Sequence, residues 1–558
     1  MQYLPQQRSK YVEWFIEEGK NVASFQKRYR RELGRHATAT DAKRIKEWYA
    51  KFQEGDLRNK KRVGTKYART PEKTAEVVQL LEVLPHSNSS LLSQPYISSV
   101  RQAEAAIKYL YDLQKGKAEV AAVVEAEKCV DQTANCYFFS DPKPEIGILR
   151  EAGKWVKNEQ LHVFSAYLDE RPNSLFPVIW SVQILASSFG DSDDKEPFYC
   201  HIFFDQKDWS KKVVVKPHFR MVWQKAWDPR SSFYNAFLVT CPIPKDQSNS
   251  AASYVAISHQ YCGSSQILNL TKVQTQANLP KISTPSSKVP LIGVCVKGLD
   301  YMDENELAAR KLVEWIELNY VLGAEHITLY SYYIPARLRK VLEFYSKEGR
   351  LNLIDIELPG NQPNQNYIRH EYIWRNRQQK RRNELIPYND CFYRYAVSNF
   401  DFVLIIDTDE VVVPLNHPNW QLMLQSMLPS LRAPPSAISV RNIFKFSSQE
   451  ESILDIPLRS ATIQDKEQYG KSFISAKNIA SVFNHFALHR LHRNVSRTVY
   501  LEEDVAVKLH FRPDCPDELK GRVCERLKAN LTHDYSLDTF VVEVRERVDK
   551  VLNQLRIV

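Results

Sequence analysis

Hydrophobic positions along this chain change their period several times, and each change marks a boundary. Tyr11, Val12, Phe15 and Ile16 recur at helical spacing, as do Phe25, Tyr29 and Leu33, and then Ile45, Trp48, Tyr49 and Phe52. Apolar residues three and four apart share one helix face, so three short helices are expected before residue 55. An alanine-rich stretch from Val100 to Lys128 reads as a helical connector. From His162 the period drops to two: 162–168, 176–185, 198–204, 213–215 and 237–239 suit short strands, and a β-rich module is expected over about 155–271. Residues 272–290, rich in Gln, Thr, Ser and Pro, carry no apolar period and read as a linker.

Beyond the linker, strands and helices alternate. Residues 291–296, 326–330 and 351–356 are short apolar runs, and 306–321 and 337–347 have helical spacing. That alternation predicts an α/β domain over 291–540, with a parallel-rich Rossmann-type sheet and flanking helices, followed by a helical tail at 541–558. Ligands in such sheets bind beyond the carboxyl ends of the strands. The segment Phe402-Val403-Leu404-Ile405-Ile406 is a continuous apolar strand that runs into Asp407-Thr408-Asp409-Glu410. Burying the run sets three carboxylates at the rim, where a hard divalent cation can bridge them to a diphosphate. Carboxylates this close repel one another unless something positive lies among them.

Charge sharpens the picture of the first segment. Residues 1–70 hold 18 Lys and Arg against 8 Asp and Glu, which accounts for the whole formal charge of +10. A basic helical segment of this kind suits a polyanion partner, and residues 1–85 resemble the paired helix-turn-helix units of mariner-type transposases. Weak, phosphate-directed DNA binding is the expectation, with residues 86–154 as connector. A nuclease is disfavoured, because a two-metal site needs acids on several separated strands and no convincing second and third acid is found. No run reaches the ~18 apolar residues of a membrane helix, and the first residues lack a signal-peptide pattern, so as written the chain is expected to stay cytoplasmic. Nine cysteines without a C-x-x-C pair make no zinc pattern; they suit two or three disulfides or buried thiols. Sequons stand at Asn88, Asn269, Asn494 and Asn530.

From about Phe164 to Arg512 the chain resembles glycosyltransferase family 92, a group of GT-A-fold enzymes. The resemblance is carried by Phe164-Ser165-Ala166-Tyr167-Leu168-Asp169-Glu170-Arg171, Cys241-Pro242, Glu314-Trp315-Ile316-Glu317 and Leu322-Gly323-Ala324-Glu325-His326. Further markers are Asn389-Asp390-Cys391, Asp407-Thr408-Asp409-Glu410, Lys471, His485 and His510-Phe511-Arg512. It implies a GT-A-like fold, residence in the Golgi or secretory pathway, and Mn²⁺-assisted, inverting transfer of galactose from UDP-galactose to a glycan acceptor. By position, Asp407 and Asp409 would hold the metal and donor with Glu410 supporting them, and His510 would complete the metal shell. Asn389, Asp390, Lys471 and Arg512 would bind the donor. A base for the acceptor hydroxyl is sought among Glu450, Glu451, Asp455, Asp465 and Glu467. The competing reading is a transposase-derived DNA-binding protein whose transferase domain is inactive; a fusion of the two parts accounts for the whole chain.

Overall fold

The computed structural model describes residues 22–33, 45–46, 153–271 and 289–557, with short interruptions inside the last two spans. The chain divides into two units, residues 1–130 and 131–558. In the first, the helical spacing of Phe25, Tyr29 and Leu33 is matched by α1 (Val22–Leu33), and Phe25 and Ile45 are buried. The remainder of the expected helix-turn-helix domain, the connector before residue 153 and most of the linker lie outside the described residues.

The second unit opens with the β-rich module. Strands β1 (Val156–Asn158), β2 (Leu161–Asp169), β3 (Ser181–Phe189), β4 (Tyr199–Phe203), β5 (Lys212–Val215), β6 (His218–Met221), β7 (Tyr234–Pro242), β8 (Tyr254–Ser258) and β9 (Leu268–Asn269) form two antiparallel sheets. Their orders are β1-β2-β3-β7-β6 and β5-β4-β8-β9. The two sheets share a core that includes Val163, Ile184, Ile202, Val239 and Ile257, and a disulfide joins Cys200 on β4 to Cys241 on β7.

The α/β domain contributes β10 (Ile292–Asp300), α2 (Glu306–Leu322), β11 (His326–Tyr333), α3 (Ala336–Lys347) and β12 (Leu351–Asp355). Then come α4 (Asn366–Arg375), α5 (Arg377–Asn383), α6 (Leu385–Ala396), β13 (Phe402–Ile405), β14 (Glu410–Pro414) and α7 (Trp420–Met427). It ends with β15 (Ala437–Phe446), β16 (Leu458–Ser460), β17 (Lys471–Ser475), β18 (Ile479–Phe483), β19 (Phe486–Arg490), β20 (Val499–Tyr500), β21 (Ala506–Arg512), α8 (Arg522–Ala529), β22 (Leu531–His533) and α9 (Asp538–Leu555).

Strands β12-β11-β10-β13 are mutually parallel, as the alternation of strand and helix predicts, and β17 then pairs antiparallel with β13. The sheet is therefore mixed. Strand β15 belongs to both halves: Ala437–Val440 pairs with β17, and Arg441–Phe446 pairs with β21, which in turn pairs with β14. Strand β13 lies in the first half and β14 in the second, so the chain crosses between them at residues 406–409.

Alternation explains the apolar run of β13. Phe402, Leu404 and Ile406 enter a core with Trp315 and Leu318 of α2, while Val403 and Ile405 enter a core on the opposite face with Phe392 of α6. A strand covered on both faces reads as continuously hydrophobic. Helix α2 starts where Asn305 caps the Ala308 amide and stops at Gly323, whose φ of 117° suits glycine. Gly293 on β10 faces the ring of Tyr395, which leaves no room for a Cβ. Helix α9, which spans most of the segment expected as a tail, is instead part of the domain: Val544, Val548, Val551 and Leu552 are buried in the same core as α2.

The module and the domain are interlocked. Tyr167 on β2 and Tyr330 on β11 both donate to the buried carboxylate of Asp390 on α6, which also pairs with Arg394 at 2.9 Å. Arg171 pairs with Asp169, donates to the Ala476 and Ile479 carbonyls, and lies over the Phe392 and Tyr393 rings. Cys295 on β10 is bonded to Cys391 on α6, and Cys515 to Cys524.

Candidate active site

The three acids sit at the crossing between the sheet halves, and each meets a different environment. Strand register sets Lys297 of β10 beside Asp407, because Cys295 pairs with Ile405 two residues earlier. Lys297 lies 3.1 Å from Asp407 Oδ1, and Lys471, the first residue of β17, lies 3.1 Å from its Oδ2. Burial alone would raise the Asp407 carboxyl, but the two ammonium groups outweigh it and hold its pKa well below the usual carboxylate range.

Glu410 is buried and equally occupied. Its Oε2 lies 3.1 Å from Lys471 and accepts from the Asp407 amide, and its Oε1 takes a short contact from Lys508 of β21. Again burial is opposed and exceeded by nearby cations, and the pKa falls below the ordinary range. The backbone of β14 is tied down too: the Trp315 and Trp420 indoles, both buried, donate to the Glu410 and Val412 carbonyls at 2.8 Å. These bonds satisfy carbonyls on the strand's outer edge.

Asp409 is different. Its side chain is 48% exposed, against 22% for Asp407 and 2% for Glu410. Its Oδ2 lies 3.2 Å from Nε2 of His510, which the register of β14 and β21 sets opposite Glu410. His510 Nδ1 lies 3.6 Å from Glu410 Oε1 and has no hydrogen-bond partner among the described residues. His485 completes the surroundings from the β18–β19 turn, at φ 80°, with Nδ1 bonded to the Gly470 carbonyl. Burial and the neighbouring Lys471 pull its pKa down to about 3, so it stands neutral at pH 7.

The structure thus brings Asp407, Asp409, Glu410, Lys471 and His510 together and separates them into two sets. Both Asp407 oxygens and both Glu410 oxygens face lysines, whereas the half-exposed Asp409 carboxylate lies beside the His510 ring. Lys471, whose ordinary place would be the surface, is fully buried. Asn389 and Asp390 are not brought to this cluster. The Asn389 amide donates to the Leu385 and Val482 carbonyls and accepts from the Val482 amide, and Asp390 serves the buried interlock described above. Arg512 turns to the Asp514 carbonyl. Of the candidate bases, Asp455 pairs with Arg545 of α9 and Asp465 is exposed, while Glu450 and Glu467 lie outside the described residues.

Sequence reasoning missed Lys297, Lys508 and Glu384, which lies 3.4 Å from Lys297. The signal was present: Lys297 follows the apolar run 291–296, and Lys508 stands between Val507 and Leu509. A lysine inside a buried strand requires a carboxylate partner.

Residues 291–554 match the family model described as Glycosyltransferase family 92. Over 261 residues the chain is 24% identical to the beta-1,4-galactosyltransferase galt-1 of Caenorhabditis elegans, covering 46% of this chain and 52% of that protein. The chain therefore spans about half the length of the curated relative it matches. Among solved structures, ferredoxin-NADP+ reductase from Plasmodium falciparum aligns at 10% identity over 39% of this chain and 79% of that one, with a TM-score of 0.09. The same reductase with 2'P-AMP aligns at 11% identity over 39% and 82%, with a TM-score of 0.10. Scores this low carry no argument about fold or function.

Proposed function

Since residues 291–554 are a glycosyltransferase family 92 domain, we propose that this chain transfers a hexose from a nucleotide sugar, galactose from UDP-galactose first among candidates, to a glycan acceptor. The observation that carries the catalytic part of the reading is the open pair of Asp409 and His510, whose ligand atoms lie 3.2 Å apart at the sheet rim.

A half-exposed carboxylate beside an imidazole nitrogen is a donor set that suits Mn²⁺. Among the described residues these two gain no third His, Cys, Asp or Glu at ligand spacing, so a bound cation would draw its other ligands from the donor diphosphate and water. Bound there, the cation would act as a Lewis acid on the departing diphosphate. Lys297 and Lys471 keep Asp407 ionised, and Lys471 and Lys508 keep Glu410 ionised. The β13–β14 crossing is thereby held in one conformation, and Asp409 is presented at a defined position.

Three disulfides, Cys200–Cys241, Cys295–Cys391 and Cys515–Cys524, favour an oxidising compartment, in line with the family's secretory residence. No described helix is long and apolar enough to cross a membrane. The test is UDP release from a panel of UDP-sugars, with and without Mn²⁺, by the chain and by its Asp409→Asn and His510→Ala variants. Mn²⁺-dependent release that both substitutions abolish is the expected result. No release from any nucleotide sugar, or full activity in both variants, would overturn the assignment.

A further inference from the structure

A second concave site lies where the β-rich module meets the α/β domain. A cleft of about 260 Å³ is lined by Lys157, Gln160, His162, Phe189, Tyr234 and Asn361, together with Ser188. Phe189 is 57% exposed, and its ring stands edge-on to Tyr234 at 5.3 Å; Tyr234 in turn meets His162 edge-on at 5.8 Å. Three rings thus border an open cleft whose other lining groups, among the described residues, are two amides, a hydroxyl and an ammonium.

That chemistry suits a saccharide. Flat aromatic faces take up the C–H-bearing face of a pyranose, and amides and hydroxyls exchange hydrogen bonds with its alcohol groups, apolar surface and directed polar contacts acting together.

The walls are set in advance. The Tyr234 hydroxyl accepts from the Asn361 amide at 3.1 Å, and its backbone exchanges two hydrogen bonds with the Gln379 side chain, at 2.9 and 3.0 Å. Gly360 has φ 68°, and a Cβ there would fall 2.2 Å from the Tyr234 hydroxyl, so only glycine allows this turn to close on the tyrosine. A preformed cleft binds without the cost of ordering its own walls.

Its place relative to the acids also fits. Gly360 and Asn361 follow β12, and Asp407 follows β13, three strand spacings away in the parallel half. The two strands lie roughly 14 Å apart, at about 4.8 Å per strand. Helix α4 is pinned at this rim by the His370–Asp300 bond and by Arg369 on the Tyr332 carbonyl, and it exposes Tyr367 and Trp374.

We propose that this cleft is an oligosaccharide subsite that holds the distal rings of the acceptor glycan while its reacting end lies at Asp409. The word acceptor rests on the transferase reading; saccharide binding does not. The probe is a pool of neutral N-glycans released from serum glycoproteins, followed by saturation-transfer NMR on the full chain. Phe189→Ala and Gln160→Ala should each weaken glycan binding about tenfold and raise the glycan KM with kcat unchanged. Acceptor-free UDP-sugar hydrolysis and melting temperature should stay as in the wild type. Both side chains are exposed, and if one variant fails to fold the other decides. Unchanged binding in the folded variants, or no binding of any glycan by the wild type, overturns the subsite. Phe189-dependent glycan binding in a chain that never hydrolyses a nucleotide sugar would keep the subsite and overturn the transferase reading.

Discussion

Neutralising one acid at a time separates the two sets of carboxylates. Asp407→Asn removes the anion from between Lys297 and Lys471, each 3.1 Å away. Breaking a buried pair costs about 3–5 kcal/mol; because Lys297 retains Glu384 and Lys471 retains Glu410, the lower end, about 3 kcal/mol, is expected. Unfolding entropy of about 2.1 cal/mol/K per residue over the ~264 residues of the family domain is roughly 0.55 kcal/mol/K, so the melting temperature should fall by about 5 °C. Asp409→Asn touches a half-exposed side chain whose close contact is with His510, a contact of about 0–1 kcal/mol, and the shift should stay within about 2 °C. Its effect should appear in turnover, which should fall on the order of 10² or more with Mn²⁺ affinity. Melting curves, Mn²⁺ titration calorimetry and UDP release on both variants at pH 7 make the comparison. A large stability loss in Asp409→Asn with none in Asp407→Asn would refute this division of labour, as would intact Mn²⁺ binding and turnover in Asp409→Asn.

Other substitutions test the frame around the site. Cys391→Ala opens a bridge to Cys295 across 96 residues and should cost about 2–5 kcal/mol; an unchanged melting temperature would show that the bridge contributes nothing. Gly293→Ala drives a methyl to 2.6 Å from the Tyr395 ring, which its hydroxyl bonds to Thr328 and the His326 carbonyl hold in place, and should destabilise by about 1–3 kcal/mol in urea titration. Burial pulls His326 down to about 4 and His489 to about 3. Their unfolded forms take up protons below about 6.5 while the folded forms do not, so this contribution is fully present above pH 7 and is lost as pH falls toward 4. His326→Gln should therefore lose less stability than the wild type between pH 7.5 and 5.0, and equal losses in urea midpoint would contradict the assignment.

Much of the domain could be read from the residues alone, because strands covered on both faces and helices with one apolar face leave different periods. The runs at 291–296 and 402–406 predicted β10 and β13, and Asn305 and Gly323 bound α2 where its apolar spacing begins and ends. The position of the acids followed from the same reasoning, since an apolar strand that stops at Asp407 must deliver it to a rim. What periodicity does not carry is which strands become neighbours. His510 meets Asp409 across 101 residues because β21 pairs with β14, and Lys297 meets Asp407 because β10 pairs in register with β13. Asn389 and Asp390 entered the candidate site through the family resemblance, yet α6 packs against β2 and β18: Asp390 takes the hydroxyl of Tyr167 and so joins module to domain, while Asn389 ties α6 to Val482 of β18 within the domain. Local sequence determines which element forms and which face it buries, since both depend on residues a few positions apart. Only the tertiary structure decides which of several buried charges share a carboxylate, because that follows from strand register across long separations in the chain.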